Sequence, residues 1–158
     1  MRGDFRPARR PVRHILCGAV LAVLLALRAQ VAGADPSLTG IWLTGNDTAQ
    51  VEISDCAGKL CGTIISLREP LDEAGQPKTD KRNRDAALRA RPIVGLPILL
   101  NFVRLGPKRW GEGTIYNPED GDTYKCTLSL DEPDTLTVRG YVGIPLFGKT
   151  QIWHRVAE

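Results

Sequence analysis

The chain has 158 residues, 25% of them charged, with 21 Lys+Arg against 18 Asp+Glu and a formal charge of +3. Six arginines and one aspartate fall in the first 34 residues, so the other 124 keep 15 basic and 17 acidic side chains, net −2. That balance excludes a polybasic nucleic-acid footprint, and 124 residues suit one domain with one core.

The first predicted element is a leader. "MRGDFRPARRPVR" is basic, "ILCGAVLAVLLAL" is an uncharged run of thirteen residues, and Ala32-Gly33-Ala34 has the small-x-small pattern of a cleavage site. Together they predict a secretory signal peptide over residues 1–34 and a mature domain over 35–158, delivered to the periplasm. Thirteen residues make about 20 Å of helix against a bilayer core of roughly 30 Å, so a membrane anchor fits less well. The mature chain has no stretch long and apolar enough to span a membrane as a helix.

Short strands follow. "LTGIWLT" (38–44), the alternating "AQVEIS" (49–54) and the β-branched "LCGTIISL" (60–67) come first. A strand around 99–105, "GTIYN" (113–117), "TYKCTLSL" (123–130), "TLTVRGY" (135–141) and "TQIWHRV" (150–156) complete the set. The breakers "LGPKR", "NPEDG" and "DEPD" separate them. Eight antiparallel strands in so short a chain predict a closed barrel or a sandwich, and closure removes the sheet edges.

One short helix is predicted near residues 84–90. Asn83 suits its N-cap, Asp85 its positive end and Arg89 and Arg91 its negative end, and Pro92 stops it. So short a helix needs a surface to lie on, offered through Ala86, Ala87 and Leu88.

The mature chain has three cysteines: Cys56, Cys61 and Cys126. In "SDCAGKLCG", a type II′ turn centred on Gly58-Lys59 pairs Ala57 with Leu60 and sets Cys56 opposite Cys61, within disulfide reach. A metal site would need two more soft ligands, and only Cys126 and His154 remain, so no metal or other cofactor is expected. Cys126, on the apolar face of its strand, reads as a small buried hydrophobe, with a free thiol or pairing between chains left open.

At "GIWLT", "CAGKLCGTIISLREPLD", "RNRDAALRARPIVGLPIL", "IYNPEDGDTY" and "VRGYVGIPLFGKTQIWHR" the chain resembles a family of small exported bacterial proteins, domain of unknown function 2147. The likeness runs from about Ser37 to Val156 in several blocks of conserved order. It implies an all-β, eight-stranded, antiparallel up-and-down barrel of lipocalin-like form, and a role in binding small apolar molecules. No catalytic or binding residue is established for the family, so none is implied. Many members carry a second cysteine pair in the last segment; here Tyr141 and Phe147 stand in that region. Gly40-Ile41-Trp42 also resembles the G-x-W of lipocalin first strands. Trp42 is then either plain core or half of a latch with Arg155 on the last strand.

Strand parity in such a barrel puts the Cys hairpin, "LGPKR" and "DEPD" at one end. "TGND", residues 68 to about 98, "NPEDG" and "GIPLFG" share the other. The two apolar segments, 93–102 with "GLPIL" and 143–148 with "GIPLF", therefore meet at one rim. They can fold in as a plug, line an open mouth for an apolar ligand, or stand out as a patch for a protein or membrane surface.

Chemistry for catalysis is sparse. The mature chain has no G-x-S-x-G, one imidazole, His154, and no phosphate loop; a cysteine nucleophile would require Cys126 beside His154. No enzymatic activity is expected. The expected function is binding of a small apolar or amphipathic ligand, with no nucleic-acid partner. Trp42, Trp110, Tyr116, Tyr124, Trp153, Leu96 and Phe147 are the candidate walls, and Arg84, Arg89 and Arg91 the candidate partners for a charged head group. The competing expectation is an interaction module that docks a protein or membrane surface through the two apolar loops.

Overall fold

Residues 37–157 are described by a computed structural model. The predicted leader and its cleavage site lie outside the described residues. Period-two patterning builds the wall of the domain. In β2 (Ala49–Asp55), Ala49, Val51 and Ile53 are buried; in β6 (Asp122–Glu132), Cys126, Leu128 and Leu130 are, with polar residues between them. The remaining strands are β1 (Gly40–Leu43), β3 (Leu60–Leu67), β4 (Pro97–Gly106), β5 (Arg109–Asn117), β7 (Thr135–Tyr141) and β8 (Lys149–Arg155). Each pairs antiparallel with the next and β8 returns to β1, closing an eight-stranded up-and-down barrel.

Two bulges keep the inward face in phase. Asn101 (φ 62°) in β4 and Glu112 (φ 59°) in β5 each sit where one strand carries an extra residue against its neighbour. Leu99 and Phe102 consequently both point inward, as do Trp110 and Gly113. The Phe102 ring covers Gly113 so closely that a Cβ there would stand 2.5 Å from it. One continuous core joins Trp42, Phe102, Trp110, Leu128, Leu136 and Trp153.

The closure point is a latch. Trp42 pairs with Arg155, whose guanidinium carbon lies 4.2 Å from the centre of the indole ring. Nη1 and Nη2 of Arg155 donate to the carbonyls of Thr39 (2.7 Å) and Ser37 (2.8 Å), and Nε donates to that of Pro133 (2.9 Å). Gly40 is required here: at φ 124° a side chain would be strained, and its Cβ would meet Nη1 at 2.8 Å.

Two local expectations are corrected. Cys56 and Cys61 are bonded, with Cα atoms 5.9 Å apart, but the turn centres on Ala57-Gly58, both at positive φ (59° and 80°). This is the left-handed pair of a type I′ turn. The register is Asp55 opposite Leu60 and Ser54 opposite Cys61, so the cysteines are diagonal neighbours. The Asp55 carboxylate accepts the Gly58 N–H at 3.1 Å, which favours this turn over the II′ alternative. The helix expected over 84–90 is a single 3₁₀ turn, Ala86–Leu88, capped by Asp85, with none of its residues buried. The turn starts later than expected, so Asn83 is not its cap: the Asn83 side-chain oxygen accepts the Asp85 N–H (2.8 Å), and Asp85 in turn accepts the Ala87 N–H (2.9 Å). A turn without a buried face does not propagate.

Candidate functional site

The two ends of the barrel differ in kind. Tight turns at residues 56–59, 107–108 and 133–134 close one end. At the other, residues 44–48, 68–96, 118–121 and 142–148 connect the strands. The candidate site is this loop-rich end, and the two apolar segments have opposite fates there.

The first segment is a plug. Ile93, Leu96, Ile98 and Leu99 are buried and belong to the core. β3 extends its pairing onto the loop through Ile64 N–H to Leu96 C=O (3.0 Å) and Gly95 N–H to Ile64 C=O (2.7 Å). Leu99 packs over Gly62, where a Cβ would be 2.8 Å away.

A buried polar knot holds the rest of loop 68–96. Asp80 is wholly buried; its Oδ2 accepts from Arg91 Nε (2.9 Å), Arg91 Nη2 (2.8 Å) and Asn83 Nδ2 (2.8 Å). Its Oδ1 accepts the Tyr116 hydroxyl at 2.5 Å. Arg91 also lies over the Tyr116 ring at 5.6 Å. Burial, then the bond to Asp80, pushes the Tyr116 phenol above its ordinary value. The loop presses so closely on the neighbouring connection 118–121 that a Cβ at Gly121 would stand 1.9 Å from the Arg82 carbonyl oxygen.

The second segment stands in solvent. Val142, Ile144, Leu146 and Phe147 are 72%, 53%, 74% and 77% exposed. Gly143 at φ 74° turns the chain, and Pro145–Phe147 form one 3₁₀ turn. Arg139 on β7 fixes this shape. Its Nε donates to the Pro145 carbonyl (2.7 Å), its Nη2 to the Leu146 carbonyl (3.3 Å) and its Nη1 to the Thr150 hydroxyl (2.6 Å). The clamp takes up the loop's carbonyls and leaves its side chains outside.

Beside this loop, Ile115, Tyr124 and Gly140 share the inner face of the wall, where a Cβ on Gly140 would stand 3.3 Å from Ile115 and 3.8 Å from the Tyr124 Cβ. Tyr124 donates to Asp120 (2.9 Å), which lifts the phenol first, with burial second. At Asp120 burial is the largest influence and works upward. The Asp122 N–H, Tyr124, Asn117 and the charge of Lys149 outweigh it and hold the carboxyl below the usual range. A cleft of about 270 Å³ opens at the same end beside connection 44–48, lined by Leu43, Asp47, Gln50, Ser66 and Arg68 among others, with none of the predicted ligand residues in it.

The predicted site residues do not converge. Trp42, Trp110, Trp153 and Leu96 are core, and Tyr116 is under loop 68–96. Arg84 is paired with Asp122, Arg89 donates to the Asn83 carbonyl, and Arg91 holds Asp80, so no head-group cluster forms from them. Tyr124 is half-buried with its hydroxyl on Asp120, and of the predicted apolar walls Phe147 is the one largely exposed. Cys126 is buried on the inner parity of β6, whereas His154 is exposed on β8 next to inward Trp153, so thiol and imidazole face opposite sides. Asp80 and Arg139 were missed, because in "TDKRNRD" and "TLTVRGY" each looks like a solvated charge.

The profile of a bacterial family described as "Uncharacterized protein conserved in bacteria (DUF2147)" matches residues 40–155. The chain belongs to the DUF2147 family. The DUF2147 match begins at Gly40 and ends at Arg155, the two residues in contact at the barrel's latch. The solved structure of HP1028 from the human pathogen Helicobacter pylori, described as belonging to the lipocalin family, superposes with a TM-score of 0.67 at 28% identity. The superposition covers 77% of this DUF2147 chain and 84% of HP1028. No curated protein matches the chain.

Proposed function

We propose that this DUF2147 protein is an exported, periplasmic, non-enzymatic barrel that binds an apolar or amphipathic molecule at its loop-rich rim. The observation that carries the reading is the clamped loop 142–147. Four large apolar side chains, each more than half exposed, are held in water by a buttressing arginine. Large contiguous apolar exposure of this kind marks contact surfaces in soluble proteins. The lipocalin-like fold supports the same reading, as does the resemblance to a family with a suggested role in binding small apolar molecules. The leader "ILCGAVLAVLLAL" supports the location.

Native mass spectrometry of protein purified from its own periplasm tests this directly. Co-purified lipid is expected. Delipidated wild type should also take up an apolar fluorescent probe that Leu146→Ser/Phe147→Ser does not. Delipidated wild type that takes up nothing overturns the reading.

A further inference from the structure

We propose that loop 142–147 docks on the surface of an anionic lipid bilayer, as opposed to enclosing one extracted lipid. This rests on the reading above, that the loop contacts apolar or amphipathic matter, and names its source. Enclosure needs walls. The tryptophans at 42, 110 and 153, together with Leu96, are already buried in the core, while Val142, Ile144, Leu146 and Phe147 point into solvent. A small rigid knob of this kind suits shallow insertion between head groups. No helix among the described residues is long and apolar enough to cross a membrane.

Charge identifies the surface. From Arg139 to Lys149, "RGYVGIPLFGK", both charges are positive and there is no acid. Lys125 lies opposite Tyr141 in the register, adding a third cation and a phenol at the base of the knob. Basic residues flanking an apolar tip, with an aromatic hydroxyl at head-group depth, match an interface rich in anionic lipid. The acids in and beside the shorter connections at this end are Asp47, Glu119, Asp120 and Asp122; Asp47 is paired with Arg68, Asp122 with Arg84, and Asp120 is hydrogen-bonded by Tyr124 and Asn117. Loop 68–96 adds Glu69, Asp72, Glu73, Asp80 and Asp85 at this end, of which Glu69 is paired with Lys78 and Asp80 with Arg91, while Asp72 and Asp85 accept backbone N–H groups of their own loop. A second copy of the chain is a poorer occupant. The knob has six residues, against roughly 20–30 on each side of a standard protein interface.

The test is co-sedimentation of the full mature chain with vesicles of phosphatidylcholine alone or mixed with 30% phosphatidylglycerol. Wild type is expected on the mixed vesicles and less on the neutral ones. Binding should weaken at least about tenfold in Leu146→Ser/Phe147→Ser and about fivefold in Lys149→Gln. Unchanged circular dichroism keeps these losses interpretable. In an independent variant, Phe147→Trp, the new indole should shift its emission to the blue on mixed vesicles, since the native tryptophans are buried already. No sedimentation, or equal sedimentation of the double variant, overturns the proposal. If vesicles fail but native mass spectrometry finds a single bound lipid lost in the double variant, docking falls and the ligand reading stands. If both fail, or the knob drives only concentration-dependent dimers, both fall.

Discussion

Arg155 joins three segments through one planar group: its face covers Trp42, and its N–H groups reach Ser37, Thr39 and Pro133. A lysine has the charge without the fork, so it can satisfy one of these carbonyls at a time. Arg155→Lys should lower stability by about 2–3 kcal/mol, read from urea unfolding followed by tryptophan emission, and a loss below half that value would mean Trp42 is core alone. Cys126 makes a second single-residue prediction. Burial pushes its thiol up to about 12, whereas in the unfolded chain it ionises near the ordinary value of 9.0. Its contribution is complete below pH 9. Above that, only the unfolded state gains from ionisation, so stability falls as pH climbs toward 12, by up to about 4 kcal/mol across the window. Cys126→Ala should flatten that slope in unfolding curves taken between pH 8 and 11; parallel slopes for the two proteins would remove the thiol as its cause.

Among the elements, loop 68–96 depends on one carboxylate. Asp80 is acceptor to three side chains, and removing it leaves Arg91, Asn83 and the Tyr116 hydroxyl without their shared partner. Asp80→Ala should cost about 3–5 kcal/mol, and amide exchange should rise across 78–93 before it rises in β6 or β7. Uniform loosening would mean the loop is not a separable unit. The strands were legible in the sequence because alternation and breakers report directly on a half-buried sheet, and all eight appear within a few residues of their expected limits. Local turns were less so. Gly58-Lys59 and Ala57-Gly58 differ in sequence only by where a glycine sits, and the Asp55 side chain chooses between them. The pentads "GLPIL" and "GIPLF" were indistinguishable by composition. One lies where β3 offers unpaired backbone and Gly62 offers room. The other is carried on an arginine that ties its carbonyls from outside. The partners of the first pentad are about thirty residues away, so its fate belongs to tertiary structure; Arg139 is six residues from Pro145, but composition does not show that its guanidinium turns onto the loop's carbonyls.

For the whole molecule, the decisive quantity is how the barrel interior is filled, since a ligand inside and a ring inside exclude each other. Phe102 occupies the space that Gly113 vacates, with the core running continuously from Trp42 to Trp153. If packing there is as tight as this contact implies, Phe102→Ala should cost about 3–5 kcal/mol, the sum of lost transfer energy and an unfilled cavity. Gly113→Val alone should also destabilise, by about 1–3 kcal/mol, because its Cβ would meet the ring. The two changes combined should cost less than their sum, the valine filling part of the space left by phenylalanine. Denaturant unfolding of the four proteins gives the coupling, and an apolar probe that binds only the Phe102→Ala chain would locate the new space. Additive losses, with probe binding already present in wild type, would mean that the interior is hollow. In that case the bound molecule belongs inside the barrel and not at its rim.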